Sequence, residues 1–325
     1  MMTDVKISAF GRIRGQKINL YTLFNKNGHT VSITNYGATI TNWHVPDRYG
    51  KWSSIVVGFD NIKDYLNCTF YPGAIIGRYS NFIANAEFLL DGQKYSLSKN
   101  YENHHLHGGN CGFDKKIWQL QLLDRSRASI TLYHISLDGD EGYPGNVKVW
   151  VTYSLGDDNS LSIKYRAQTD KPTVLSLTNH TYFNLVANKD AMLEHSLTVL
   201  ANTYTPTDRK IPTGELSDVH NTPYDFREHR PIKAPIDKVE VYNVNYVIQK
   251  NLSEKLALAA TLSHHSSGRT LKVYTTMPGL QLYVNNGGIC LETQHFPNAP
   301  NHTCFPSPIL LPGQEYQHIT RYVVS

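Results

Sequence analysis

Two stretches of strict alternation set the limits on what this chain can fold into. Val147, Val149, Val151 and Tyr153 alternate with Lys148, Trp150, Thr152 and Ser154, and Leu161, Ile163 and Tyr165 alternate with Ser162, Lys164 and Arg166. Successive side chains on a β-strand point to opposite faces, so each stretch reads as a strand with one buried face. Gly156-Asp157-Asp158-Asn159-Ser160 joins them, a loop of the length and composition that connects antiparallel neighbours. Similar patterns predict strands at Val31–Asn35, Ser53–Gly58, Phe82–Leu90, Ile130–Leu137, Thr173–Leu177, Ser196–Leu200, Tyr242–Ile248, Leu271–Met277 and Gln281–Val284. A helix is expected only in short pieces such as Asn61–Leu66, and the strand–helix–strand rhythm of a parallel sheet is absent. The expectation is an all-β fold, a large antiparallel β-sandwich. Such sandwiches often run past about 200 residues as one domain, so residues 1–325 are read as a single domain.

The remaining composition narrows the partners. Hydrophobic residues make up 40% and charged residues 18% of the chain, enough apolar material for a substantial core. The net charge is +4 and no run of like charges would track a phosphate backbone, so nucleic acid is not expected as a partner. The N-terminal MMTDVKISAFGRIRG lacks an apolar signal core and no stretch is apolar enough to span a membrane, so a cytoplasmic chain without membrane contact is expected. Cys68, Cys111, Cys290 and Cys304 are widely spaced and form no CxxC pair, which predicts free thiols.

Five segments hold residues with chemical potential. In Asn103-His104-His105-Leu106-His107-Gly108-Gly109, an extended backbone would put His105 and His107 on one side, as in some metal sites, but no carboxylate follows through Gly112. The same segment reads as a polar surface loop, or as a ligand site in which Gly108 and Gly109 allow close backbone approach. Thr178 to Leu185 carries His180, which by itself reads as a hydrogen-bonded structural residue. Gly288 to Pro297 sets Glu292 in an apolar run, where a carboxylate is either satisfied by hydrogen bonds or kept for its basicity. Gly77-Arg78-Tyr79-Ser80-Asn81 joins a guanidinium, a ring and an amide, suited to sugar hydroxyls or simply to a solvated turn. Asp138-Gly139-Asp140-Glu141-Gly142 imitates a calcium loop, but its twelfth position is Val149 where a glutamate is needed, so a tight turn fits better.

Taken in order, these segments resemble the aldose 1-epimerase (galactose mutarotase) family. The matches are GRYSN at 77–81, LHGG at 106–109 with Gly112-Phe113-Asp114 and Trp118, DGDEGYPGN at 138–146, TNHTYFNL at 178–185, Thr205-Pro206-Thr207, Ile211-Pro212-Thr213-Gly214, Asp225-Phe226-Arg227, PGLQLY at 278–283 and LETQHFPNAPN at 291–301. The resemblance implies a β-sandwich that needs no cofactor or metal and acts on a small aldose, as a monomer or homodimer. It implies that His180 is a general acid and Glu292 a general base. It further implies that His107, Arg78 and Gln281 bind the sugar, His107 also assisting near the ring oxygen, with Asn81, Tyr182 and Asn243 as further substrate contacts. Opening a pyranose requires removal of the C1 hydroxyl proton while the ring oxygen is protonated, so a base and an acid must flank the anomeric carbon together. Glu292 is expected to rest ionised and His180 to be able to donate at neutral pH.

One segment departs from the family pattern. Where the family carries Gly-Tyr-Asp-His-Asn-Phe, this chain has Val241-Tyr242-Asn243-Val244-Asn245-Tyr246. Asn243 replaces a carboxylate with an amide, which weakens or redirects sugar binding because charge-assisted hydrogen bonds are the stronger kind. The alternative to an enzyme is a carbohydrate-binding or regulatory relative that keeps the pocket and has little turnover.

Overall fold

The alternating stretches form the hairpin that their pattern predicts. In the computed structural model, which describes residues 2–232, 242–249 and 256–325, Val147–Leu155 pairs antiparallel with Ser160–Thr169, Val147 lying opposite Thr169 and Leu155 opposite Leu161. Gly156 N–H donates to the Ser160 carbonyl at 2.8 Å and the Ser160 hydroxyl donates to Asp158 Oδ1 at 2.6 Å, closing the turn. Val147, Val149, Val151 and Tyr153 are buried, and the residues between them face outward. Val241 lies outside the described residues.

The hairpin belongs to a nine-stranded sheet ordered Gln119–Asp124, Ser129–Ser136, Val147–Leu155, Ser160–Thr169, Tyr316–Val324, Thr270–Thr275, Ala257–Ser263, Ser196–Val199 and Arg230–Pro231. A six-stranded sheet runs Tyr182–Phe183, Gly288–Gln294, Gly279–Asn285, Asn243–Val247, Thr203–Thr205 and Ser217–Asp218, and a five-stranded sheet is built in chain order from Asp4–Ile13 to Trp52–Ser54. Every ladder in these sheets is antiparallel.

Tyr322 shows how the sheets share one core. Its ring, on the nine-stranded sheet, meets Trp43 of the five-stranded sheet at 6.5 Å, and its hydroxyl donates to the Leu291 carbonyl of the six-stranded sheet at 3.4 Å. One apolar cluster takes side chains from all three sheets, each fully buried large side chain contributing about 1.5–3 kcal/mol. Gly288–Gln294 is buried at every position because both of its faces are covered. Thr293 reaches back to the Thr320 hydroxyl at 2.5 Å, so period two turns Cys290, Glu292 and Gln294 to the other face.

Three predicted strands lose three or more residues. Phe82–Leu90 is split into Phe82–Ile83 and Glu87–Leu90 by a turn in which Asn85 takes φ 56° and Ala84 N–H donates to Asn298 Oδ1. The strand expected at Ser53–Gly58 ends at Ser54, and the one expected at Thr173–Leu177 ends at Val174. The expected helix forms as Ile62–Asn67, capped by Asn61 Oδ1 accepting from Asp64 N–H at 3.0 Å. Among the described residues no helix is long and apolar enough to cross a membrane.

Candidate active site

The six-stranded sheet places the acid–base candidates by register. Gln281 lies directly opposite Glu292 on one side and Asn245 on the other, and Tyr182 lies opposite Cys290. His180 enters from Thr178–Asn179, which pairs with Ile75–Ile76. Its backbone is pinned at both ends, His180 N–H donating to Ala74 O and Gly73 N–H donating to His180 O, each at 2.9 Å. The imidazole stacks on Tyr182 with ring centres 4.9 Å apart, and the His107 ring approaches edge-on at 5.2 Å.

His180 Nε2 stands 3.6 Å from Glu292 Oε1. Both groups line a cavity of about 730 Å³, together with Asn81, His107, Tyr182, Asn243 and Gln281, within the usual range for small-molecule sites. Burial acts on both members of the pair. It pushes the Glu292 carboxyl up to about 8 and the His180 imidazole down to about 4. Among the described residues Glu292 Oε2 has no hydrogen-bond partner to offset the loss of water. The separation would allow an ion pair, yet burial draws both groups to their neutral forms. For Glu292 that direction runs against the expectation of an ionised resting carboxylate.

His107 has a defined tautomer. Asn81 N–H donates to its Nδ1 at 3.1 Å, and burial, with the neighbouring His180 and Lys115, holds the ring neutral. The ring proton then sits on Nε2. Gln281 Nε2 donates to Asn243 Oδ1 at 2.6 Å, while Gln281 Oε1 is buried without a partner. Asn81 Oδ1 accepts from Phe82 N–H, and Tyr182 forms the plate beneath His180. The cavity thus offers two unpaired acceptors, Glu292 Oε2 and Gln281 Oε1, and donors that include His107 Nε2–H.

Arg78 does not join this group. Its guanidinium is buried, with Nε donating to Ser136 Oγ at 2.8 Å, Nη1 to Pro144 O at 2.8 Å, and Nη2 to Ser136 O at 3.0 Å and Leu137 O at 2.7 Å. It clamps the turn at Asp138–Asn146 to the strand before it and has no donor directed to the cavity; burial lowers its pKa to about 10. The acidic side chains of that turn are likewise engaged. Asp138 bonds Gly145 N–H and Lys171, Asp140 bonds Ser136 and Lys116, and Glu141 accepts from Asn110 and Cys111 N–H.

The metal reading of His105 and His107 fails for a related reason. His105 turns to the Tyr143 hydroxyl at 2.7 Å and to Ser98, away from His107, whose left-handed backbone (φ 53°) breaks the alternation. Gly108 and Gly109 serve packing rather than ligand approach: a Cβ would lie 1.8 Å from Gly77 O at Gly108 and 2.1 Å from Glu141 Oε2 at Gly109. The cavity wall includes residues that sequence reasoning missed, among them Phe70, Tyr71, Tyr101, Tyr224, Tyr283 and Lys210. The chain has 21 tyrosines, so tyrosine by itself is no signal, and these residues converge only through the fold.

The model of the aldose 1-epimerase family matches residues 19–323. The galactose mutarotase of Sus scrofa is 40% identical over 314 residues, 91% of each chain. The aldose 1-epimerase of Escherichia coli strain K12 is 35% identical over 333 residues, 95% of each. Among solved structures, a GalM/aldose epimerase homologue from C. elegans superposes with a TM-score of 0.87 at 31% identity, covering 93% of this chain and 97% of that one. Galactose 1-epimerase from Lactobacillus acidophilus NCFM gives 0.86 at 25% identity over 99% of both. Fold and cavity together define a galactose mutarotase-like β-sandwich with a buried imidazole–carboxylate pair. The chain belongs to the aldose 1-epimerase family.

Proposed function

We propose that this protein interconverts the α and β anomers of a free aldose such as galactose or glucose, with His180 as general acid and Glu292 as general base. The observation that carries the reading is the 3.6 Å approach of His180 Nε2 to Glu292 Oε1 on the floor of a cavity, with Oε2 buried and unpaired. Between about pH 4 and about pH 8 the pair holds one proton in total.

The C1 hydroxyl of a bound sugar donates to Oε2. A donor there favours the carboxylate, and a carboxylate beside Nε2 favours the imidazolium, so the sugar moves the shared proton from Glu292 to His180. Glu292 then takes the C1 hydroxyl proton while His180 Nε2–H protonates the ring oxygen. The C1–ring oxygen bond breaks as the C1 carbonyl forms. Rotation about C1–C2 presents the other carbonyl face, and the same two groups in reversed roles close the ring as the opposite anomer. His107 Nε2–H donates near the ring oxygen, Gln281 Oε1 accepts from a sugar hydroxyl, and Asn81, Asn243 and Tyr182 complete the contacts. Because Asn243 supplies an amide where the family pattern has a carboxylate, galactose and glucose are held by a neutral contact at that point.

We take the working unit to be residues 1–325 as one cytoplasmic domain, a monomer or homodimer that uses no cofactor. Polarimetry of freshly dissolved α-galactose, α-glucose and other aldoses tests the reaction. The expected result is anomer exchange faster than in buffer for at least one sugar. Measurable binding without acceleration for any of them would leave a carbohydrate-binding relative in place of an enzyme.

A further inference from the structure

The acid–base reading leaves a reactive side chain beside it unused. Cys290 precedes Glu292 by two residues on the same strand, so both point to the same face, and its Sγ lies 3.6 Å from His180 Nδ1. Ligand atoms of His180, Cys290 and Glu292 all lie within 4.8 Å of one another, and all three residues are buried. A thiolate, an imidazole and a carboxylate are the donors taken by a borderline-soft cation such as Zn²⁺; hard cations such as Ca²⁺ and Mg²⁺ prefer oxygen alone.

The spacing suits tetrahedral coordination. With Zn–S of about 2.3 Å and Zn–N of about 2.0–2.1 Å, adjacent donors stand roughly 3.6 Å apart. Sγ to Nδ1 and Nε2 to Oε1 are each already 3.6 Å. An ion takes only one ring nitrogen, so the thiolate or the carboxylate must close by roughly an ångström, within reach of a side-chain torsion. A second observation points to a ligand: Glu292 Oε2 is buried with no hydrogen-bond partner. His180 and Glu292 line the cavity, so a water there could supply a fourth ligand.

We propose that His180, Cys290 and Glu292 form an inhibitory site for a thiophilic divalent cation, with Zn²⁺ as the expected occupant. Binding releases to solvent both the Cys290 thiol proton and the single proton shared by His180 and Glu292, and transfers no electrons. The cation occupies the imidazole lone pair and the carboxylate that proton transfer requires, so bound metal and turnover exclude each other. The binding stands on geometry alone; only the inhibition rests on the proposed epimerase function.

Cobalt(II) titration tests the site, because a thiolate ligand gives a near-ultraviolet charge-transfer band. The wild type is expected to bind one equivalent with that band. Cys290→Ser should lose it, while a variant with Cys68, Cys111 and Cys304 replaced by serine should keep it. In parallel, Zn²⁺ should slow anomer exchange reversibly on chelation. Each variant is compared with its own metal-free rate, and Cys290→Ser should need at least about tenfold more Zn²⁺, the low end for losing a metal-site contact. A band that persists in Cys290→Ser, or vanishes when the other three thiols are removed, would overturn the proposal. So would anomer exchange that ignores Zn²⁺ in the wild type. A Cys290-dependent band in a protein without anomer exchange would uphold the metal site and sink the epimerase reading instead.

Discussion

Replacing Glu292 with glutamine separates what the carboxyl does for turnover from what it costs the fold. The amide keeps the shape of the side chain but cannot accept the C1 hydroxyl proton. A positioned general base contributes about 10²–10⁴ in rate, so kcat should fall by at least about a hundredfold, or roughly 2.7 kcal/mol in the barrier. KM should change little, since His107, Gln281 and Asn243 remain. Stability should move the other way. Burial raises the folded carboxyl from 4.5 to about 8, so at pH 7 folding must protonate a group that is ionised in the unfolded chain. That costs on the order of 3 kcal/mol at pH 7. The sign follows from the direction: a folded pKa above the unfolded one leaves stability intact below pH 4.5 and erodes it as pH rises toward 8. The glutamine variant carries no such penalty and should melt higher than the wild type at pH 8, with the difference shrinking toward pH 5. Polarimetry gives the rate and calorimetry at several pH values gives the melting temperature. A rate within tenfold of wild type would refute the base role, and a variant less stable than wild type at pH 8 would refute the burial argument.

Three further predictions follow from the same geometry. The pH profile of kcat/KM should be bell-shaped, falling above about pH 8 as the pair loses its single proton and below about pH 4 as it gains a second; buffer-corrected polarimetry measures it, and a flat profile from pH 7 to pH 10 would contradict the shared proton. Arg78→Met removes the four hydrogen bonds of a buried guanidinium and should lower stability by about 3–5 kcal/mol without raising KM in the folded fraction; a large rise in KM at unchanged melting temperature would return Arg78 to the binding site. Asn243→Asp keeps an acceptor for Gln281 Nε2 and adds charge toward the sugar, so KM for galactose or glucose should fall severalfold; an unchanged or higher KM in progress curves would show that the amide does not set affinity.

Alternation made the large sheets legible because a strand with one wet face must repeat with period two, as Val147–Leu155 does. The strand bearing Glu292 has both faces covered, so it shows no alternation, and its identity came from the LETQ match. Short loop strands were the hardest to read: Asn85 takes a left-handed turn inside a segment whose hydrophobic pattern continues without a break. The pairing of His180 with Glu292 depends on two residues 112 positions apart meeting in the same cavity, which no local pattern encodes. Arg78 was misread for a physical reason. A guanidinium in a polar, aromatic motif suits a sugar, but it equally suits a ring of backbone carbonyls, and only the packing of Ser136, Leu137 and Pro144 around it decides. Glycines invite a similar error, since Gly108 is required by Gly77 O behind it rather than by a ligand in front.

Exchange NMR on ¹³C1-labelled galactose and glucose, with wild type and His180→Asn compared at equal concentration, tests the central claim most directly. The acid–base account predicts cross-peaks between the α and β C1 resonances growing faster than in buffer with the wild type, and at least about a hundredfold slower growth with His180→Asn. Equal exchange rates for the two proteins, or no acceleration by the wild type, would contradict it.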